Sequence, residues 1–131
     1  MRTRTLIIAA ALLLMLGVGT GAFGAHGLKA HVSADMLAVW QTAVLYQLVH
    51  ALGLLAVAGL RPRLASGAAT AAAAFLLAGI FIFSGSLYAL VLSDVRMIGA
   101  VTPIGGVCFM AGWLLLAVAA WRAPAGGPLD D

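Results

Sequence analysis

The chain has 131 residues, 64% of them hydrophobic and only 8% charged. A soluble domain carries roughly a quarter charged residues, and at this length it leaves about a third of its surface in water. The composition therefore excludes an ordinary soluble domain and a disordered chain, and the single cysteine, Cys108, excludes a disulfide scaffold.

The charges divide the chain. No Lys, Arg, Asp or Glu occurs from Thr5 to Leu28, from Met36 to Leu60, from Leu64 to Ser93 or from Met97 to Trp121, runs of 24, 25, 30 and 25 residues. A helix crosses the hydrocarbon of a bilayer in about 20 apolar residues. A charge at mid-bilayer costs at least ~2.5 kcal/mol, which accounts for the empty runs. The reading is an all-α integral membrane four-helix bundle, a single domain over residues 1–122. Its spans are expected at about 5–25, 37–59, 68–92 and 98–121, followed by a disordered cytoplasmic tail over 123–131.

The first span starts after Arg2 and Arg4 and ends in a glycine-rich half, with Gly17, Gly21 and Gly24. Gly17 and Gly21 are four residues apart, so they share a face and admit a neighbouring backbone. A basic start, an apolar core and small residues at Ala22 to Ala25 also fit a secretory signal peptide. The apolar run continues through Val18 and Phe23, longer than a usual signal core, and favours a retained span. His26 to Asp35 forms a first connection, read as a polar loop or a short stretch lying on the membrane surface.

The second span, from Met36 or Leu37 to Gly59, is the most polar. Thr42, Tyr46 and His50 recur every four residues and share a face, with Gln47 beside His50. Arg61-Pro-Arg63 then makes a tight turn, because Pro62 cannot continue a helix. The third span runs from an Ala-rich start to Leu92 and contains Ser84, Gly85, Ser86 and Tyr88. The fourth starts either at Pro103, with Thr102 as its cap, or near Met97 with a kink at Pro103. Gly105, Gly106 and Gly112 allow it to pack closely, and Cys108 reads as a small packing residue.

Trp40 and Tyr88 fall near one interface and Trp121 near the other, as aromatic belts do. Trp113 falls near the midplane, where its ring N–H needs a partner inside the bundle. At about 1.5 Å per residue, and with Trp40 marking the outer edge, the unusual residues of all four spans fall in one outer layer. Thr42, Tyr46, Gln47, His50, Ser84, Ser86, Tyr88 and Thr102 are therefore expected to meet there as a polar or ligand-binding cluster. Gly17, Gly21, Gly24, Gly85, Gly105 and Gly106 are the expected packing positions.

No site for chemistry emerges from the residue types. All four acidic residues lie outside the spans, so carboxylate catalysis and carboxylate proton relays lack candidates. His26 and His31 are too far in depth from His50 to share a metal. Ser84 or Ser86 with His50 lacks the acid that orients a base. No catalytic residue, metal site or cofactor is assigned. Nucleic-acid binding is not expected, because there is no basic cluster or stripe.

Four ordered stretches resemble one family: Gly21-Ala-Phe-Gly-Ala-His-Gly-Leu28, Gln41-Thr-Ala-Val-Leu-Tyr-Gln-Leu-Val-His-Ala51, Phe83-Ser-Gly-Ser-Leu-Tyr88 and Gly99-Ala-Val-Thr-Pro-Ile-Gly-Gly106. They are similar to the domain-of-unknown-function 423 family, small bacterial inner-membrane proteins akin to a eukaryotic transmembrane protein 256. Trp40 departs from the phenylalanine expected before Gln41-Thr42. The resemblance implies a four-helix membrane protein and no particular activity. The motif positions it carries over are His26, Gln41, Thr42, Tyr46, Gln47, His50, Ser84, Gly85, Ser86, Tyr88, Thr102, Pro103, Gly105 and Gly106. The expected role is structural or accessory: a helix-packing protein, not an enzyme, whose partners are the lipid bilayer and its own copies (a homo-oligomer) or a larger membrane complex. The alternative is an oligomeric small-solute or ion transporter or channel, with a polar outer-leaflet cavity around His50.

Lys and Arg near span ends set orientation. Arg2, Arg4, Arg61, Arg63 and Arg122 lie on one side and Lys29 and Arg96 on the other, which puts both termini in the cytoplasm. Alkaline phosphatase fused after Arg122 should accordingly be inactive in a bacterial host, and the same fusion after Asp94 active. The reverse pattern would invert the topology.

Overall fold

A computed structural model of the chain describes residues 1–123; the expected tail, from Pro124 on, lies outside the described residues. Helix α1 spans Thr3–His26 and α2 spans Ala34–Leu60, joined through a 3₁₀ turn at Leu28–Ala30. The third span is α3 (Ser66–Gly79), a π-helical turn (Ile80–Ser84) and α4 (Gly85–Ser93). Helix α5 covers Thr102–Trp121. With their flanking turns these form four spans of 26 to 30 residues, each long and apolar enough to cross a membrane. The protein is an all-α, multi-pass bundle.

The helix ends follow local chemistry. Helix α2 begins before the expected Met36, because Ser33 Oγ accepts the Met36 N–H at 3.2 Å. Asp35 sits in the first turn, where a carboxylate suits the helix dipole. Arg61–Arg63 forms a 3₁₀ turn, as Pro62 requires. Arg61 donates to the Met1 carbonyl and, at 2.8 Å, to Thr70 Oγ1. Helix α4 ends at Asp94, at φ 57°, a left-handed position that Asp tolerates better than most residues.

The start of the fourth span matches neither expectation. Arg96–Val101 is a 3₁₀ lead-in and the α-helix begins at Thr102. Pro103 lies in its first turn, where a missing N–H breaks no helical bond. Thr102 is not a cap; its hydroxyl points at Ser86.

Helix α1 packs on α2, α2 on the third span, and the third span on α5. Half of the second span is buried, against 17% of the first and 22% of the fourth, so α2 is the inner element and the other two present their flanks outward. Trp40, Ala43, Gln47, His50, Leu54 and Val57 form a buried stripe at alternating steps of three and four, the spacing of a packed helix face, and Ala51, Gly53 and Ala58 widen it. Leu6 and Leu13 of α1, Leu54 and Val57 of α2, Leu76 and Ile80 of the third span, and Phe109 of α5 form the main core.

Small residues set the helix separations. A Cβ on Gly17 would stand 2.6 Å from Leu48 Cδ2, one on Gly24 2.6 Å from the Trp40 ring, and one on Gly21 3.4 Å from Val44. A Cβ on Gly105 would strike the backbone nitrogen of Phe83, so α5 and the third span touch main chain to main chain. Gly106 has more room, 4.0 Å from the Phe83 ring. Gly85 is a correction: nothing lies within 4 Å of its Cβ position, so it is not a packing site. Gly53, under Trp113, and Gly79, under Phe109, take close-packing roles that spacing did not single out.

This contrast is measurable. Gly105→Ala must displace α5 and should cost about 1 to 3 kcal/mol, the range for overpacking. Gly85→Ala should be neutral or stabilising by about 0.5 to 1 kcal/mol, since it only removes a helical glycine. Unfolding of both variants by SDS in mixed micelles checks the sign and the order.

Candidate functional site

The expected polar layer exists in its parts but not as one cluster. Tyr46 and Gln47 are neighbours, so their side chains leave α2 about 100° apart. They face different surroundings.

On the α1 side lies a hydrogen-bond network. Gln47, buried, donates through Nε2 to the Leu13 carbonyl of α1 at 2.8 Å. Tyr88 of α4 donates to Gln47 Oε1 at 2.9 Å, and Thr20 Oγ1 of α1 lies 3.2 Å from the same phenol. Trp40 Nε1 donates to the Thr20 carbonyl at 2.8 Å, and its ring packs 4.6 Å from that of Tyr88. Ser84, also buried, donates to the Ala43 carbonyl at 2.8 Å. Three spans are thus tied together by side chains that would each be costly to leave unpaired in hydrocarbon.

A second, smaller link joins α4 to α5. Ser86 donates to the Phe83 carbonyl at 2.9 Å. A hydroxyl has one proton, so the 2.7 Å contact between Ser86 and Thr102 is filled by Thr102 as donor. The π turn makes both links possible. Its wider winding turns α4 relative to α3, so that Ser84 and Tyr88 meet α2 and α1 while Ser86 meets α5.

On the α5 side of α2 the surroundings are aromatic. The Tyr46 ring stacks on Phe83 at 4.5 Å and 20°, and the His50 ring on Phe109 at 3.4 Å and 11°. Trp113 lies 5.9 Å from His50. These rings line a groove of about 410 Å³ between α2, the third span and α5. His50 is only 6% exposed, and its Nδ1 lies 2.7 Å from the Tyr46 carbonyl of its own helix. A carbonyl only accepts, so Nδ1 carries the proton and, with the ring uncharged, Nε2 carries the lone pair. Among the described residues no hydrogen bond engages Nε2 or the Tyr46 hydroxyl. No sealed side-chain nitrogen or oxygen of a non-exposed residue lacks a partner there, so His50 Nε2 opens onto space, and Tyr46 is itself exposed.

Several expectations are corrected. Thr42 is exposed and bonds only to Ala38 of its own helix, at 3.0 Å; it joins neither group. Ser84 and Ser86 do not pair with His50: all three are held by backbone carbonyls. Trp40 is 3% exposed, so it packs inside the bundle and does not face lipid headgroups as a belt residue does. Trp121, 83% exposed, does face outward. The Trp113 N–H has no hydrogen-bond partner among the described residues; its ring rests on Gly53 instead. Thr20 joins the network from outside the expected cluster; it is the one hydroxyl inside the first uncharged run beyond Thr5. The largest cavity among those described, about 530 Å³, lies elsewhere, between the two connections and beside His31, Asp94 and Arg96.

Residues 20–106 match the family described as "Protein of unknown function (DUF423)". A UPF0382 membrane protein of Staphylococcus saprophyticus is 49% identical over 119 residues, covering 91% of this chain and 98% of its own length. The UPF0382 membrane protein YwdK of Bacillus subtilis is 46% identical over 118 residues, covering 89% and 96%. No solved structure matches the chain.

The network should behave as one unit. In a double-mutant cycle, Tyr88→Phe and Gln47→Leu should couple by about 0.6 to 1.7 kcal/mol, the range for bonds between membrane helices. Tyr88→Phe and His50→Phe should not couple. SDS unfolding of the single and double variants reads both terms.

Proposed function

The chain belongs to the DUF423 family and is a bacterial multi-pass membrane protein, and on that premise we propose that it acts by packing, as a non-enzymatic accessory subunit with both termini in the cytoplasm. One observation carries this reading. The polar groups that join the spans are satisfied by one another and by backbone carbonyls, while the first and fourth spans leave most of their apolar surface uncovered. A transport path needs polar groups turned toward a shared wet passage. Here Gln47, Ser84, Ser86, Tyr88 and Thr102 are turned toward each other in helix contacts. The uncovered flank of α1, with Ile8, Leu12, Met15 and Val18, offers long side chains without polar atoms, suited to a neighbouring apolar helix or to lipid.

Extraction into native-membrane discs, followed by mass spectrometry of everything retained, tests the reading. Retention of further copies or of other membrane proteins at fixed stoichiometry is expected. So is the absence of ion flux from liposomes carrying the purified protein. A bare monomer in the discs, or saturable flux lost on Tyr46→Phe and His50→Phe, would overturn it.

A further inference from the structure

The groove between α2 and α5 carries something the packing role does not use. His50 is more than nine-tenths buried, yet its Nε2 is an acceptor without a donor. Tyr46 lines the same groove, and its hydroxyl is also unpaired among the described residues. Both lie well inside a span, sixteen and twelve residues from the Ala34 end of α2. Lipid tails offer no hydrogen bonds there, and an unpaired polar group in hydrocarbon is costly. Gln47, Ser84, Ser86, Tyr88 and Thr102, by contrast, are all matched within the bundle.

The groove walls narrow the occupant. Two near-parallel ring pairs, Tyr46 with Phe83 and His50 with Phe109, stand beside Trp113, and Met110 adds a polarizable edge. Aromatic faces favour another flat ring in offset or edge contact. The volume of about 410 Å³ is within the range of small-molecule sites, roughly 300 to 1,000 Å³. Among the lining residues the polar functions are the His50 Nε2 acceptor, the Tyr46 hydroxyl and the Trp113 N–H, with no permanent charge. That set suits a ring hydroxyl that donates to Nε2 while its oxygen accepts from Tyr46. A phosphate or carboxylate headgroup has no cation to meet in this groove.

We propose that this groove binds a lipid-soluble aromatic alcohol of the hydroquinone class, its ring against the aromatic walls and its hydroxyl on His50 Nε2. Binding is the whole of the inference; no electron or proton transfer is included. The groove is flanked by the exposed side chains of Val107 and Met110 on α5, so its occupant enters from lipid.

The test uses the full chain in phospholipid discs under reducing, anaerobic conditions, with 2-decylhydroquinone as probe and empty discs as the partition control. Quenching of Trp113 fluorescence, defined by subtraction of a Trp113→Phe variant, reports occupancy. Saturable binding is expected, weakened about tenfold or more when the probe's hydroxyls are replaced by methoxy groups, since one hydrogen bond to an otherwise unpaired group is worth about that factor. His50→Phe, which keeps a stacking ring, should weaken the hydroquinone to the level of the dimethoxy compound. Tyr46→Phe provides a second, smaller loss should His50→Phe fail to fold, and exposed Thr42→Ala should change nothing. Non-saturable partitioning, equal affinity for the two probes, or unaltered binding by Tyr46→Phe and His50→Phe would overturn the proposal. So would cross-linking of Met110→Cys between copies that excludes the probe, which would make the occupant a second chain.

Discussion

In hydrocarbon an amide or hydroxyl without a partner has no water to fall back on, and the arrangement of this bundle follows from that constraint. Gln47 is the centre of it. Its amide nitrogen is satisfied by a main-chain carbonyl of α1 and its oxygen by a phenol of α4. Both partners must be in place for α2 to sit where it does. The bonds are individually modest in a membrane, but losing one partner strands the other group, which makes the set behave as a geometric lock more than as a sum of attractions. Ser84 on the Ala43 carbonyl and Trp40 on the Thr20 carbonyl extend the lock along the same side of α2.

The lock works only because the helices can come close enough. Gly17 and Gly24 let α1 settle against Leu48 and Trp40, and Gly105 brings α5 onto the backbone of Phe83. In lipid the gain from such contacts is dispersion and hydrogen bonding, because burying apolar surface against another helix has little advantage over burying it against acyl chains. That is why the tight positions coincide with glycine instead of with large side chains. It is also why the flanks of α1 and α5, rich in Leu, Ile and Val, remain uncovered without strain on the fold.

The spans were legible because charge is expensive in a bilayer: four runs without Lys, Arg, Asp or Glu mark four helices. Their ends were less so. Asp35 interrupts the uncharged run, yet the helix continues through it to the Ser33 cap, since a helix extends beyond the hydrocarbon into the headgroups. The π turn at Ile80–Ser84 leaves no mark in residue type, although it decides which way Ser84, Ser86 and Tyr88 point. The site was half legible. Depth and the four-residue spacing group Thr42, Tyr46 and His50, with Gln47 beside them, but a shared layer and face do not say which neighbouring helix each side chain meets. The rotation between adjacent residues sends Gln47 to α1 and Tyr46 to the aromatic side, and Thr42 outward. Thr20 and the carbonyls of Leu13 and Ala43 were invisible for another reason: a main-chain acceptor carries no side-chain signature.

The division of α2 into two faces has a mechanical consequence. Gln47 and His50 belong to one buried stripe, three residues apart on a rigid helix, so the network that holds Gln47 also fixes where His50 and Tyr46 stand. Phe83, the opposite wall of the groove, is pinned from behind by the backbone contact with Gly105 and by Ser86 on its carbonyl. The groove is therefore shaped by contacts that lie outside it. Phe109 also belongs to the main core, but the hydrogen bonds that hold the bundle are made elsewhere, so the groove's unpaired polar atoms can remain unmatched within the protein. A polar pair left open on a preformed aromatic wall is the arrangement that recognition favours over packing, since a ligand then meets groups already in position. Stability on one side of α2 and an open binding surface on the other are thus consequences of a single helix placement.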